Sequence, residues 1–139
     1  MPDFILNKLV RDNLPMMMKA ANQIPVYRVL EGRELQKALL AKIKEEADEA
    51  IGALDDDEAF TLELADMQDI IDSLLVKRDI ERATLVATQK SISNKKGLFN
   101  EGYFLEKVSV DEASEWTQYY RSEPNRFGES GVVSTDDDL

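Results

Sequence analysis

The sequence predicts an all-α fold: a four-helix bundle with small extended segments and an irregular C-terminal tail. Three observations predict it. Two long stretches, Arg33 to about Leu54 and Glu58 to about Lys77, place their apolar residues at helical spacing. Helix start and stop signals punctuate the chain at the ends of those stretches and on either side of them. β-Favouring residues gather only in short runs.

The first helix opens at Asp12-Asn13-Leu14-Pro15, where a capping side chain precedes a proline in the first turn, and Met16 to Ala21 continue it. Gln23 to Leu30 holds Pro25 and β-favouring side chains and reads as extended, until Gly32 breaks it. The second helix runs from Arg33 to about Leu54. Asp55-Asp56-Asp57-Glu58 suits the start of the third, because carboxylates there meet unpaired N–H groups and the positive end of the helix dipole. That helix ends near Lys77. Arg78 to Glu81 is a short break, and a fourth helix runs from about Arg82 to Ser93. Asn94-Lys95-Lys96-Gly97 follows it as a basic stop, with Gly97 as the cap. Gly102 to Val110 reads as extended. The chain thus divides into a domain of residues 1–110 and an extended or mobile tail of residues 111–139, turn-rich at Ser122-Glu123-Pro124-Asn125 and Ser134-Thr135-Asp136-Asp137-Asp138. Trp116, Tyr119 and Tyr120 are the tail side chains able to pin it to the body or to a second subunit.

At 139 residues, with 43% hydrophobic and 32% charged side chains, the chain is long enough for one globular domain with a real core. No apolar run approaches the roughly 20 residues of a membrane span, and Met1 to Asp12 lacks the basic head and apolar stretch of a signal peptide. A cytoplasmic protein with no membrane partner is expected. The net charge of −11 would repel duplex phosphate, so no nucleic-acid partner is expected. An anionic small molecule accompanied by a metal ion remains compatible with that charge.

Cysteine and histidine are both absent. Disulfides, thiolate nucleophiles, Ser-His-Asp triads, zinc sites built on Cys or His, and di-iron bundles that need Glu-x-x-His are all excluded. Carboxylates, lysine, arginine, hydroxyls and hard, oxygen-seeking metals are what remain for chemistry.

Placed at about 100° per residue, Leu35, Leu39, Ile43 and Ala50 all fall within about 60° of Glu46, so Glu46 lies inside the apolar stripe of the second helix. Glu49 lies at the stripe's edge, one turn along. On the third helix Phe60, Met67, Ile70 and Leu74 surround Glu63 in the same way, and Asp66 takes the edge position. Antiparallel packing across a short connection would bring the four carboxylates together. A lone Glu pair at i, i+3 ordinarily marks a solvated face; two core-facing pairs on successive helices do not fit that reading. Buried, mutually repelling carboxylates need compensation. With neither arginine nor lysine expected in the helix stripes, a divalent cation is the expected partner. All-oxygen ligation selects magnesium, manganese or calcium.

Glu45-Glu46-x-x-Glu49 followed by Glu63-Leu64-Ala65-Asp66 resembles the E-E-x-x-E…E-x-x-D signature of the all-α nucleotide pyrophosphohydrolases, the superfamily of MazG, the dimeric dUTPases and phosphoribosyl-ATP pyrophosphohydrolase. Asn7-Lys8-Leu9-Val10-Arg11-Asp12-Asn13-Leu14-Pro15 is similar to the K-L-V-R-D-x-I-P opening of the phosphoribosyl-ATP-pyrophosphohydrolase-like branch, and Tyr27-Arg28-Val29-Leu30 and Lys96 to Leu105 fit that branch. The resemblance spans about residues 4 to 108. Where the branch commonly reads Arg-Gly-Gly-Phe, this chain has Lys96-Gly97-Leu98-Phe99.

The resemblance implies a MazG-like bundle in which Glu46, Glu49, Glu63 and Asp66 hold Mg2+, with Mn2+ as a substitute. It implies attack of water at the α-phosphorus of a nucleoside triphosphate, releasing a monophosphate and pyrophosphate. Glu45, about 100° from Glu46 and on the flank of Glu49, is placed to orient or deprotonate that water. It is otherwise a surface glutamate. Lys8, Arg11 and Asp12 in the opening, with Lys95 and Lys96, are the candidates for binding the substrate phosphates. The two later lysines read equally as favourable charge at a helix C-terminus. Assembly as a homodimer or homotetramer and a house-cleaning role are further expectations from the family. Phosphoribosyl-ATP or dUTPase-type specificity stays open, as does a non-catalytic nucleotide-binding or adaptor module.

Overall fold

The computed structural model describes residues 1–131, which form five α-helices and no strand. The acid-rich end of the tail, Ser134 to Asp138, lies outside the described residues. Contacts divide the chain into two compact units, Met1–Gly97 and a second that starts at Leu98.

In the first unit, α1 (Leu14–Ala20) begins with Pro15 in its first turn, as the sequence predicts. The capping expectation fails there: Asn13 sits in the right-handed helical region and makes no side-chain cap bond. The helix instead closes firmly at its other end. Asn22 adopts φ 59°, and the Asn22 and Gln23 amides donate back to the Lys19 and Met18 carbonyls, a pairing that satisfies two orphan acceptors. Residues 23–30 follow without regular structure and join no sheet.

Helices α2 (Gly32–Gly52) and α3 (Asp57–Lys77) make the one extensive helix–helix contact among the described residues. Gly32, at φ 55°, turns the extended segment into α2, a conformation most side chains resist. Asp56 caps α3 by accepting from the Glu58 and Ala59 amides, so the acidic cluster does open a helix. Asp79 closes α3 at φ 53°, with Asp79 and Ile80 donating to Val76 and Leu75. The pair runs antiparallel: Arg78, just past the end of α3, bonds Gln36 near the start of α2 at 2.9 Å. Leu39, Ala50 and Ile70 are buried between them; Leu35, Ile43, Phe60, Met67 and Leu74, the rest of the two stripes, are half-buried.

Helix α4 (Arg82–Lys96) extends a turn beyond the expected end at Ser93, so Lys95 and Lys96 lie in its last turn rather than after it. Gly97, at φ 80°, still ends it. No residue of α4 is buried, and Val86 and Ile92 are more than half exposed.

In the second unit, residues 115–122 of the segment expected to be extended or mobile are helical. Helix α5 (Glu115–Ser122) is capped by the Ser114 hydroxyl, which accepts from the Trp116 amide. Trp116, Tyr119, Tyr120 and Phe127 pack ring on ring at centroid distances of 5.1 to 6.5 Å. Thr117 is buried and donates to the Asp111 carbonyl at 2.7 Å, and Arg121 bonds both Glu112 and Glu129. The turn-rich composition concealed an eight-residue helix whose aromatic side gives it something to pack on.

Candidate metal centre

The acids gather in two overlapping groups that share Glu46. Carboxylate oxygens of Glu46, Glu63 and Asp66 lie within 4.8 Å of one another across the α2–α3 interface, and those of Glu45, Glu46 and Glu49 do so along α2. Glu46 is the innermost, 4% exposed, held there by the Leu39 and Ala50 turns on either side of it. Glu63 and Asp66 are half-buried and Glu49 is exposed. The α2–α3 packing therefore creates a gradient, from a dry carboxylate at the floor to a wet one at the rim.

Glu46 Oε2 and Glu63 Oε2 are buried and have no hydrogen-bond donor. Two such carboxylate oxygens cannot satisfy each other without a proton or a cation between them. Without a metal, a proton takes that place below about pH 7. Hydrogen bonding to Glu46, then burial, then Glu49 push the Glu63 carboxyl up to about 7. The donor set is all carboxylate, two of its oxygens are buried without a donor, and two helices fix it. These residues fit a magnesium or manganese ion.

A proton count follows from this arrangement. A divalent ion can ligate only the deprotonated Glu63, so Mg2+ binding is expected to release close to one proton at about pH 6 and almost none at about pH 8.5. Affinity should rise across that window and level off above about 7. Calorimetry in buffers of differing protonation enthalpy measures the count, and a value that does not change with pH would remove the shared proton.

The expectation that the helix stripes lack a basic side chain is wrong. Lys42, with its side chain 17% exposed, places Nζ at 3.1 Å from Glu45 Oε1 and 3.3 Å from Glu46 Oε1. Four residues before Glu46, it stands about 40° from it on the helix wheel, so the i, i+4 spacing carried the signal. Its long stem satisfies the apolar stripe while the ammonium reaches the acids. Lys8 adds a second ammonium at 3.5 Å from Glu45 Oε1, and Lys8, Lys42 and Glu45 border a cavity of about 140 Å³ between residues 7–9 and α2. Burial works to raise the Glu45 carboxyl, but Lys42 and then Lys8 outweigh it and hold the group below its ordinary range.

Arg11 bonds Asp66 and, at 2.9 Å, Asp69. Asp69 continues the Glu63-x-x-Asp66 spacing by one more turn, a signal the sequence carried. The opening segment thus straps both helices beside the acids, Lys8 on α2 and Arg11 on α3. Asp12 is exposed and has no ion pair among the described residues, and neither do Lys95 and Lys96, which lie exposed at the end of α4. The structure brings these three to none of the acids.

No protein-family model matches the chain, and neither a curated protein nor a solved structure matches it. No helix among the described residues is long and apolar enough to cross a membrane.

Proposed function

We propose that this chain is a magnesium-dependent nucleoside triphosphate pyrophosphohydrolase that cleaves the α–β phosphate bond, giving a nucleoside monophosphate and pyrophosphate. The observation that carries it is the buried Glu46 carboxylate, which has one oxygen unpartnered and clusters with Glu63 and Asp66 across the helix pair. Glu46, Glu49, Glu63 and Asp66 would hold magnesium, which would neutralise the polyphosphate and make a water more acidic. Glu45, kept ionised by Lys42 and Lys8, orients that water and accepts its proton. Water forms the new bond to the α-phosphorus, and the α–β bridging bond breaks with its electrons leaving on pyrophosphate. Lys8 and Arg11, on the strap beside the acids, meet the phosphate charge. Arg11 would have to exchange Asp66 and Asp69 for phosphate oxygens.

Self-association, as a homodimer or homotetramer, belongs to the same reading. Support comes from α4, which exposes Leu85, Val86 and Ile92 along its length and buries nothing. A house-cleaning role, removing unwanted nucleotides, rests on the resemblance of the opening motif alone.

Hydrolysis in oxygen-18 water tests the bond cleaved. The label is expected on the monophosphate; label in pyrophosphate, or orthophosphate as first product, would mean another reaction class. A panel of canonical and damaged nucleotides, with dUTP and phosphoribosyl-ATP included, assigns the substrate by pyrophosphate release. Binding without release from any of them would favour a non-catalytic module.

A further inference from the structure

We propose that Lys42 is a positioning residue of the metal centre: it holds Glu46 through Oε1 and thereby aims Oε2 at Glu63 and Asp66. The proposal rests on the metal-centre reading above and adds to it a residue outside the acid signature. Lys42 is the only cation that contacts Glu46 among the described residues, and it contacts one oxygen of that carboxylate, at 3.3 Å. The other oxygen is the one buried without a donor. A carboxylate on a flexible side chain can rotate about its last bond. Gripping Oε1 from the same helix, one turn back, fixes that rotation and leaves Oε2 as the oxygen free to take a ligand in the cluster that Glu46 shares with Glu63 and Asp66. The same ammonium holds Glu45 Oε1 at 3.1 Å, so one group sets the orientation of a ligand and of its neighbour together. Lys42 itself is 17% exposed and confined by α2 and the cavity wall, so its own conformation is restricted.

Electrostatics alone makes the opposite prediction. A fixed positive charge beside a cation site repels the ion, so a lysine that merely neutralised Glu46 would weaken metal binding, and its removal would tighten it. A lysine that orients the ligand acts as outer-shell partners do, and its loss weakens metal affinity by roughly 10–100-fold. The sign separates the two.

The test is Mn2+ titration of the full chain by electron paramagnetic resonance, without nucleotide, in wild type, Lys42→Met, Lys42→Arg and Glu46→Gln. Lys42→Met is expected to lose roughly 10–100-fold in affinity and to change the spectrum of bound Mn2+, while Lys42→Arg recovers most of both. Thermal melts without metal establish that each variant is folded; if Lys42→Met is not, Lys42→Gln carries the same expectation. Unchanged or tighter binding in the folded uncharged variant overturns the proposal and leaves the metal centre standing. Wild-type protein that binds no Mn2+, or binds it equally well as Glu46→Gln, overturns the centre and this proposal with it.

Discussion

Glu46→Gln is expected to abolish most of the stabilisation that magnesium confers. A ligand at about 100 times its dissociation constant adds about 2.7 kcal/mol to the native state, which for a domain of this size shifts the melting temperature by on the order of ten degrees. Removing the innermost carboxylate takes away both the ligand and the acceptor of the Glu63 proton. Without metal, the variant is expected to be at least as stable as wild type near pH 8. Lys42 keeps Glu45 as a partner, and Glu63 loses a repelling neighbour. The pH dependence has a definite sign. Glu63 is raised in the folded state, so its stabilising contribution is complete below its ordinary 4.5 and lost as pH rises through about 7. Metal-free wild type should therefore lose stability across that window, and Glu46→Gln should lose less. Calorimetric melts with and without millimolar Mg2+ read both effects. Equal magnesium shifts in wild type and variant would sink the site as drawn.

Glu45→Gln is expected to cut turnover by roughly 10² to 10⁴, the range for lost general-base assistance, while magnesium affinity and nucleotide binding stay near wild type. The basis is its position: it borders Glu46 and Glu49, yet its Oε1 is engaged by Lys42 and Lys8 rather than by the acids of α3. Steady-state rates beside calorimetry with a non-hydrolysable nucleotide make the distinction. Loss of metal affinity as severe as in Glu46→Gln would make Glu45 a ligand, with the base elsewhere. Loss of neither would make it a surface glutamate.

Much of the helical framework was legible because it depends on local rules. The phase of Glu46 among Leu35, Leu39 and Ala50, and of Glu63 among Phe60, Ile70 and Leu74, places each carboxylate on the face that must be covered, and period arithmetic alone finds it. Asp56 behaves as a helix cap for an equally local reason. What the local rules miss has other causes. A binary pattern counts lysine as polar and so misses Lys42, whose stem is apolar and whose charge reaches a turn away. The helix at Glu115–Ser122 was hidden by its turn-rich flanks, since eight residues are too few to signal a helix without the aromatic packing and the Ser114 cap that hold it.

By itself, the sequence determined that histidine and cysteine chemistry is absent, and that each of two successive helices carries one carboxylate in its apolar stripe and a second at the stripe's edge. Only the tertiary structure decided which oxygens are left without a donor and where the cations go. Lys8 reaches Glu45 from a segment 37 residues away, and Arg11 reaches Asp66 from 55 residues away. No local pattern encodes such pairings, because they exist only once α2 and α3 have packed and the opening segment has crossed them. The dryness around Glu46 has the same origin: helical phase can point a carboxylate inward, but only the facing helix removes the water that would otherwise satisfy it.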